Sequence, residues 1–361
     1  MGMADVSEEG RLINPNIVDY TKVSKGFTPF ERGDILVAKI TPCFENGKGA
    51  DTNALPTQQG YGSTEFHVLR CKDVDRRYMF LHTTSYEFRK KLESEMTGSA
   101  GQKRVQTESI VSYLLGLPSK EEQQIIAKLL SEQDRIIELK EKLLAEKKRK
   151  KKYLMQQMLS GRKRLPGFMD EWKPQELANV INEISEKSRV NNQYPILSST
   201  TTGVLLSTEY YTHRQRASKD NTGYKVLRKN QLVFSPQNIW LGNINVNLTF
   251  DIGIVSPSYK IYNFHGDHDP RFWGYMFKTH QAFQKYETVL SSGASVCRKN
   301  LDSEAFLRLA FVVPTVNEQK AIARVLDTAN KELDLLQQNI EQEKQKKKAL
   351  VQLLLTGIVR V

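Results

Sequence analysis

The sequence is poor in cysteine and lacks the cysteine spacings typical of disulfide-rich or metal-binding proteins. Its 361 residues contain three of them, Cys43, Cys71 and Cys297, at wide spacings and without a Cys-x-x-Cys pair. This usage argues against a disulfide framework or a zinc site and fits a reducing cytoplasm. No run of about 18 apolar residues occurs, so we expect no membrane span. The stretch Met1–Asp5 lacks the basic start and apolar run of a signal peptide.

Motifs for catalysis are also missing. The sequence has no Asn-Pro-Pro-Tyr/Phe or Asp-Pro-Pro-Tyr segment for amino-group methylation and no phosphate-binding loop, since 46–49 is too short to cradle a nucleotide. Glu171-Trp172-Lys173 resembles half of a nuclease motif. Its aspartate partner should lie upstream, but no aspartate occurs between Asp134 and Asp170, and the adjacent Asp170 is too near, so we interpret the segment as the start of a strand. The run 265–269 could bind a metal but has no other ligand cluster to help it. We therefore predict no catalytic residue, no metal and no cofactor on this chain.

Acidic residues are outnumbered. Lysine and arginine total 53 against 41 aspartates and glutamates, which gives a net charge of +12, while 39% of the residues are hydrophobic and the mean hydropathy is −0.50. This composition is typical of a globular protein that can bury hydrophobic cores. The excess of positive charge suggests a polyanionic partner such as nucleic acid; the alternative is a solvated basic surface, which would have the same composition.

An internal repeat is the strongest signal in the sequence. With an offset of 196 residues, 118–161 aligns with 314–357 without a gap, from a shared Pro-x-x-x-Glu-Gln start to a shared Leu-x-Gly end. Proline suits the first turn of a helix and glycine suits the position just past its end. No proline or glycine interrupts either copy, so each predicts one helix of about 40 residues and about 60 Å. The basic run 147–152 is interpreted as a solvated face.

Apolar residues recur every seven positions in both copies, which is typical of a seam between paired helices. We predict that the two helices pack against each other in an antiparallel pair, a coiled coil; the alternative is that each packs on its own neighbouring domain. The predicted seam residues are Leu130, Ile137, Leu144, Leu326, Leu333 and Ile340.

The repeat extends weakly upstream of each helix, where a turn and a short buried strand are predicted at 32–42 and again at 229–236. The predicted fold class is α/β, or mixed α+β, with a pseudo-twofold internal repeat. We expect a first domain at 1–116, a first long helix at 117–161, a second domain at 162–312 and a second long helix at 313–361. The first domain lacks a counterpart to roughly the opening 32 residues of the second, so we expect it to be shortened at its N-terminus.

Both domains contain a loop of small and basic residues at matching places, 97–104 and 291–299. Small residues let a backbone approach a ligand closely, and lysine and arginine suit phosphate oxygens. Amide side chains at 237–238, after a predicted strand, suit adenine edges. The alternatives are ordinary surface turns, a buried turn with Trp240 in the core, and charges that serve solubility. The candidate DNA-binding residues are Lys39, Lys48, Ser99, Gln102, Lys103, Arg104, Arg214, Arg216, Lys219, Gln237, Asn238, Arg298 and Lys299.

The whole layout resembles the specificity subunit of Type I restriction-modification systems. The resemblance is carried by the helix starts at 117–127 and 313–323 and by the junction 156–168 with Glu171-Trp172 after it. Gly33-Asp34-Ile35-Leu36 also resembles a core strand of that family's recognition domains. The resemblance covers nearly the whole chain and is most specific in the helices and the junction.

This resemblance implies a non-catalytic, cytoplasmic DNA-binding protein with two target-recognition domains. Each domain would read one half of an asymmetric, two-part site in double-stranded DNA, and the helices would set the spacer between the halves. The same helices would dock two adenine-N6 methyltransferase subunits, and two restriction subunits would join them. S-adenosylmethionine, ATP and magnesium would be bound by those partners only. The alternatives are a helical adaptor without DNA readout and a standalone DNA-modifying enzyme with a degenerate motif.

Overall fold

The computed structural model describes residues 1–23, 25–99, 101–210, 219–295 and 298–361, without the side chains of 292–295 and 298. The chain divides into two compact units. Unit 1 consists of Met1–Leu143 with Leu336–Val361, and unit 2 of Leu144–Leu335. The sequence-based division into 1–116, 117–161, 162–312 and 313–361 separates helices from domains, whereas each unit includes part of both long helices. The difference arises because the apolar faces of the helices are buried within the cores of the units.

Unit 1 carries a small antiparallel sheet with three short helices after it. Its central strand β2 pairs with β3 on one side and β5 on the other, while β1 and β4 form a separate two-stranded sheet. Its elements in chain order are β1 Thr28–Glu31, β2 Ile35–Ala38, β3 Gly49–Asp51, β4 Gln59–Gly62, β5 Phe66–Leu69, α1 Arg76–Thr83, α2 Tyr86–Ser94 and α3 Thr107–Val111, with 3-10 turns at Met3–Asp5, Tyr20–Lys22 and Thr52–Ala54.

The long helix α4, Lys120–Leu159, follows and contributes residues to both units. Unit 2 then holds β6 Lys173–Glu176, β7 Ile181–Ile184, β8 Leu197–Ser199, β9 Val204–Leu206, α5 Ser207–Tyr210, β10 Lys225–Arg228, β11 Leu232–Phe234, β12 Ile244–Val246, β13 Ile252–Val255, β14 Lys260–Phe264, α6 Pro270–Met276, α7 His280–Thr288, β15 Leu290–Ser295, β16 Arg298–Leu301, α8 Ser303–Leu307 and β17 Ala310–Val313, with 3-10 turns at Leu177–Asn179 and Ile239–Leu241. The second long helix, α9 Val316–Leu355, contributes to both units as well.

Each unit has its own central sheet, and the two sheets have the same arrangement, as the weak upstream repeat predicted. Strand β11 pairs with β12 and β14 just as β2 pairs with β3 and β5, and unit 2 adds β7 beyond β14. Each central strand follows a tight turn whose residue has a positive φ, Gly33 at 99° and Asn230 at 66°. Glycine and asparagine are the residues that adopt this conformation most readily. The strands are buried because their side chains are almost all apolar.

Both long helices end in the same way. Gly161 and Gly357 have φ values of 71° and 72°, which close the last turn in the left-handed conformation. The backbone hydrogen bond that follows also occurs in both copies. Lys163 N–H donates to the Gln157 carbonyl, and Val359 N–H donates to the Leu353 carbonyl, both over 3.1 Å. The predicted helix ends are therefore confirmed by matching geometry in the two copies.

The helices lie side by side and antiparallel. In unit 1, Gln133 Nε2 and Lys140 Nζ both donate to the Glu343 carboxylate, over 2.7 and 2.6 Å. In unit 2, Lys147 pairs with Glu332. Within unit 1, Asp134 pairs with Lys347 while Lys140 bonds Asn339, so contacting positions rise along α4 as they fall along α9, which only an antiparallel pair can produce. The predicted fold class, with its antiparallel helix pair, is confirmed.

The predicted seam residues are buried to different degrees. Leu130, Ile137, Leu326 and Ile340 are buried, while Leu144 and Leu333 are half-buried. Leu130 packs with Leu354 of α9 and also with Tyr78 of α1. Each helix therefore contacts both the other helix and a neighbouring domain, so the two packing arrangements considered from the sequence occur together.

Candidate nucleic-acid interface

In unit 1, the predicted basic loop lies against the segment that follows the central strand β2. Thr41 N–H donates to the Lys103 carbonyl and Val105 N–H donates to the Lys39 carbonyl, both over 3.0 Å. Arg104 also exchanges backbone hydrogen bonds with Thr97, over 2.8 and 3.1 Å, which closes the loop on itself. Residues far apart in sequence are thus held in one ledge, which we call ledge 1 and define as 39–41 with 97–99 and 101–105.

The basic side chains of ledge 1 differ in whether they are already paired within the protein. Arg104 donates from Nε and Nη2 to the Glu65 carboxylate, at distances of 2.9 to 3.2 Å, and this pairing raises the pKa of the arginine. Lys39 Nζ donates to the Thr64 carbonyl over 2.9 Å. Lys103 is exposed, as are Ser99 and Gln102. Because Glu65 offsets the charge of Arg104, Lys103 is the ledge residue best placed to meet a phosphate.

Lys48 makes a different contact. Its Nζ donates to the Met3 carbonyl over 2.7 Å, and its backbone N–H donates to the Cys43 carbonyl over 2.9 Å. The side chain is half-buried. This lysine ties the N-terminal segment to the turn before β3, a structural role that the sequence alone did not indicate.

In unit 2, the segment after β11 meets the hairpin formed by β15 and β16. Lys299 Nζ lies 5.1 Å from the centre of the Trp240 ring, within the range of a cation–π contact. Trp240 is half-buried, and its Nε1 donates to the Gln237 carbonyl over 3.2 Å. The side chain of Gln237 is exposed and that of Asn238 is half-buried. We call 235–241 with 299 ledge 2.

The other candidates of unit 2 are less well defined. Lys219 is exposed, and its carbonyl accepts a hydrogen bond from Asn191 Nδ2 over 3.2 Å. Arg214 and Arg216 lie outside the described residues. Arg298 begins β16, but its side chain is not among those described.

The two ledges are equivalent by the internal repeat. Each combines the segment after the central strand with a basic loop, and Lys103 and Lys299 stand 196 residues apart, the same offset as the helices. Two ledges of one design, each with an exposed amide side chain near a lysine, can contact phosphates and present hydrogen-bonding groups to base edges.

A half-buried lysine near ledge 2 has a role that the sequence reasoning missed. Lys278 Nζ donates to the carbonyls of Gly242 and Thr201 over 2.6 and 3.1 Å, and burial lowers its pKa to about 8. It fastens the end of α6 to the turn that follows Trp240. No local pattern could have identified it, because its partners are backbone carbonyls distant in sequence.

Within the part of the chain that the structure describes, no group of three or more histidine, cysteine, aspartate or glutamate residues could hold a metal ion. The described cysteines, Cys43 and Cys71, are free. None of the described helices is both long and apolar enough to cross a membrane.

Comparison with known families matches residues 3–149 to the Type I restriction modification DNA specificity domain. Two curated proteins from Escherichia coli are similar over shorter regions. The specificity subunit of the Type I restriction enzyme EcoAI is 45% identical over 112 residues, and that of EcoEI is 42% identical over 109 residues. Each match covers 30% of this chain but only 19% and 18% of the relatives, so the chain matches under a fifth of their length.

Solved structures share the fold over nearly the whole chain. The HsdS subunit from Thermoanaerobacter tengcongensis superposes with a TM-score of 0.55 and 17% identity, over 99% of this chain and 90% of that one. A chain from a Type I system, described for its complex assembly and conformational transition, gives a TM-score of 0.59 with 16% identity, over 98% of this chain and 90% of that one. The S subunit from M. genitalium gives 0.51 with 14% identity, over 91% and 84%.

Proposed function

We propose that the chain is the specificity subunit that reads DNA for a Type I restriction-modification system. The premise is the match of residues 3–149 to the Type I restriction modification DNA specificity domain, which agrees with the resemblance predicted from the sequence. The observation that supports the proposal most directly is the repetition of one ledge design in both units. A protein that reads two half-sites needs two reading surfaces with a common frame and different side chains.

The ledges supply the two kinds of contact that sequence reading requires. Lys103 and Lys299 are suited to phosphates, which set position but carry no sequence information. Gln102, Gln237 and Asn238 carry the amide groups that can bond adenine N6 and N7 in the major groove. Different amides on the two ledges are what recognition of an asymmetric site requires.

We further propose that the paired helices set the spacer between the two half-sites. Two weak readers joined by a stiff element bind together through effective concentration, and only where the spacing suits both. Helices α4 and α9 each contribute residues to both units, and they contact each other within each unit. Such a pair is a suitable spacer because its length is determined by the helical rise of 1.5 Å per residue.

Helix α4 also offers a surface for the partner subunits. The seven-residue repeat of α4 consists of adjacent pairs, Leu129-Leu130, Ile136-Ile137 and Leu143-Leu144, and the second member of each pair is a predicted seam residue while the first is exposed. The exposed apolar residues on this helix include Ile125, Leu129, Ile136, Leu139 and Leu143. A row of exposed apolar side chains on a helix is a common docking feature for another protein. We propose that it contacts an adenine methyltransferase subunit, with two such subunits per chain and restriction subunits added to the complex.

In this assembly the chain itself performs no chemical step. S-adenosylmethionine, ATP and magnesium are proposed to be bound by the methyltransferase and restriction subunits, and the complex is proposed to act in the cytoplasm. A helical adaptor without DNA readout remains the second candidate, because the exposed apolar row on α4 would serve it equally well.

Methylome sequencing distinguishes the two. The chain is co-expressed with its adenine methyltransferase in a host without adenine methylation, and methylated adenines are mapped genome-wide. We expect a single two-part motif with a constant gap, absent when either subunit is omitted. Complex formation without any methylated motif would favour the adaptor. Insertion of one matched heptad into both helices should lengthen the gap or abolish methylation, and an unchanged gap with full methylation would exclude the spacer role.

A further inference from the structure

The segment after each central strand ends in a turn of the same geometry. In unit 1, Gly47 N–H donates to the Phe44 carbonyl over 2.9 Å. In unit 2, Gly242 N–H donates to the Ile239 carbonyl, also over 2.9 Å. The two glycines have φ values of 83° and 88°, and each stands just before the next strand, β3 or β12. We call 44–47 and 239–242 the glycine turns.

Each glycine turn is joined to its ledge. In unit 1, Phe44 N–H donates to the carbonyl of Ile40, a residue of ledge 1, over 3.0 Å. In unit 2, residues 239–241 of the turn belong to ledge 2, and Leu241 N–H donates to the Asn238 carbonyl over 3.0 Å. A group that fixes a glycine turn therefore also fixes the backbone that carries the ledge side chains.

A cationic side chain donates to the carbonyl of the turn glycine in both units. Arg89 donates from Nη2 to the Gly47 carbonyl over 3.3 Å and from Nη1 to the Phe44 carbonyl over 2.9 Å. Lys278 Nζ donates to the Gly242 carbonyl over 2.6 Å. Within the described part of the chain, neither cation pairs with a carboxylate. Burial alone lowers both pKa values, to about 10 for Arg89 and to about 8 for Lys278.

The two cations come from different positions of the repeat. The residues that cap the short helices define a local offset of 194, and they are Asp75 with Asp269 and Ser85 with Thr279. At this offset Phe283 is the counterpart of Arg89, and a methyl group built on Gly242 would lie 3.3 Å from the Phe283 ring. Lys278 is the counterpart of Thr84. Because non-equivalent positions supply the same contact, a cation at the glycine turn is a common requirement of the two ledges.

The charge of these side chains is costly to the folded chain by itself. Arg89 is 7% exposed and Lys278 is half-buried. Removal of a charge from water raises the free energy unless an opposite charge compensates it. A neutral amide could donate to the same carbonyls at a lower cost. The positive charge therefore indicates an anionic ligand, and a DNA phosphate at the ledge is the anion that the proposed function supplies.

We propose that Arg89 and Lys278 are positioning residues for DNA reading, each of which holds its glycine turn and stabilises the DNA-bound ledge through its positive charge. This inference rests on the proposed function. A phosphate bound near Lys278 favours the protonated amine and so raises its pKa. For each unit of that increase, the protonated lysine binds DNA about tenfold more tightly than the neutral one.

Lys278 is suited to a test by pH because the backbone that it contacts does not titrate. Its Nζ also donates to the Thr201 carbonyl over 3.1 Å, and neither 200–203 nor 239–243 contains a titratable side chain. The titratable side chains on the neighbouring α6, α7 and ledge 2 are Arg271, Tyr275, His280, Lys285, Tyr286, Glu287 and Lys299. None of them shifts the pKa of Lys278, which burial alone lowers.

The experiment measures the affinity of the full chain for a fluorescent duplex that carries the two-part motif mapped by methylome sequencing. Lys278→Met should bind about tenfold more weakly than the parent at about pH 7, where the parent lysine is charged. Above about pH 8 the unbound lysine loses its proton, so the advantage of the parent should disappear by about pH 9.5. A lysine that only held the turn would have the same pKa with and without DNA and would not produce this change.

Two further variants serve as controls. Lys278→Arg keeps its charge throughout this range, so it should restore the affinity and retain it up to about pH 9.5. Lys285→Met is the matched control, since Lys285 lies 5.7 Å from the centre of the Phe311 ring, and it should have the pH profile of the parent. Thermal unfolding checks that each variant folds. The comparison of Lys278→Arg with the parent does not require Lys278→Met to be folded.

Arg89 provides an independent test in unit 1. Arg89→Gln retains an amide donor without the charge and should bind about tenfold more weakly, whereas Arg89→Lys should retain most of the affinity at about pH 7. Competition with duplexes scrambled in one half of the motif locates each effect. Arg89→Gln and Lys278→Met should each reduce discrimination in one half-site, and the two half-sites should differ.

The outcomes separate this inference from the proposed function. A parent affinity that converges with that of Lys278→Met at high pH, together with rescue by Lys278→Arg, supports the inference. Parallel pH profiles of the parent and Lys278→Arg overturn it, as does full affinity in both Lys278→Met and Arg89→Gln. Failure to map any motif, or failure of the parent to bind the motif duplex, overturns the proposed function and this inference with it.

Discussion

Arg164, just past the end of the first long helix, donates two hydrogen bonds to the carboxylate of Glu318 at the start of the second, over 2.6 and 2.7 Å. Glu318 is 1% exposed and also accepts the indole N–H of Trp172. The contact joins the end of one repeat to the beginning of the other. Arg360 and Glu122 make the same pair in unit 1, so the internal symmetry extends from the helices to their ion pairs.

Glu318→Gln should destabilise unit 2. The substitution keeps the shape of the side chain but removes the charge that holds Arg164, and we expect a loss of about 1 to 3 kcal/mol in the free energy of unfolding. Glu122→Gln is the matched control in unit 1 and should cost less, because Arg360 is 68% exposed and water can replace its partner. Urea denaturation of both variants measures the difference, and an equal effect of the two would contradict the prediction.

Leu130→Ala should destabilise unit 1 by about 2 to 5 kcal/mol, because it leaves a cavity where α4 packs against α9 and α1. Leu139→Ala removes a leucine from the exposed side of the same helix and should change stability by about 0.5 kcal/mol or less. The measurement is denaturant unfolding at one temperature. A similar loss in the two variants would show that the seam assignment is wrong.

Lys103→Ala should weaken DNA binding to all sequences alike and reduce the slope of log affinity against log salt by about 0.9. Lys299→Ala should act similarly on ledge 2. Lys142→Ala, on the exposed side of α4, provides the control and should leave the slope unchanged. Fluorescence anisotropy across a salt series measures the slope. An unaltered slope in Lys103→Ala would remove ledge 1 from the interface.

Gln237→Ala should change which sequences are bound more than how tightly. Its exposed side chain is placed to bond a base edge, and its loss should reduce discrimination at one base pair of the half-site by about 1 to 3 kcal/mol. The backbone carbonyl that holds Trp240 is retained in the variant. Competition binding with single-base variants of the methylated motif tests this. A uniform loss of affinity across all competitors would instead indicate a positioning role.

His82 should make unit 1 sensitive to acid. Burial lowers its pKa from 6.5 to about 4, and its Nε2 has no hydrogen-bond partner among the described residues. Above pH 6.5 the histidine is neutral in both states. Between pH 6.5 and 4 the unfolded chain takes up a proton that the folded chain does not, so the free energy of unfolding should fall by up to about 3 kcal/mol as the pH falls.

The comparison variant for this prediction is His82→Leu, which cannot titrate. Other groups also titrate in this range, among them His67, whose pKa burial lowers too. The test is therefore the difference between the parent and the variant in urea denaturation from pH 7 to pH 4. Parallel curves would show that His82 is not the group responsible.

The long helices and their pairing could be predicted from the sequence by itself because their signals are local. A seven-residue apolar repeat, a proline at the start and a glycine at the end each act within one or two turns, and copies 196 residues apart repeat them. The strand after Gly33 and the one after Asn230 were likewise marked by a turn and an apolar run. The composition of the basic loops is a local signal of the same kind.

The roles of particular side chains were decided only by the tertiary structure, because their partners are distant in sequence. Glu65 offsets the charge of Arg104, Lys48 is held by the Met3 carbonyl, and Trp240 lies beneath Lys299. Hydrogen bonds and ion pairs of this kind depend on which segments the fold brings within about 3 Å of each other, and no local pattern records that distance.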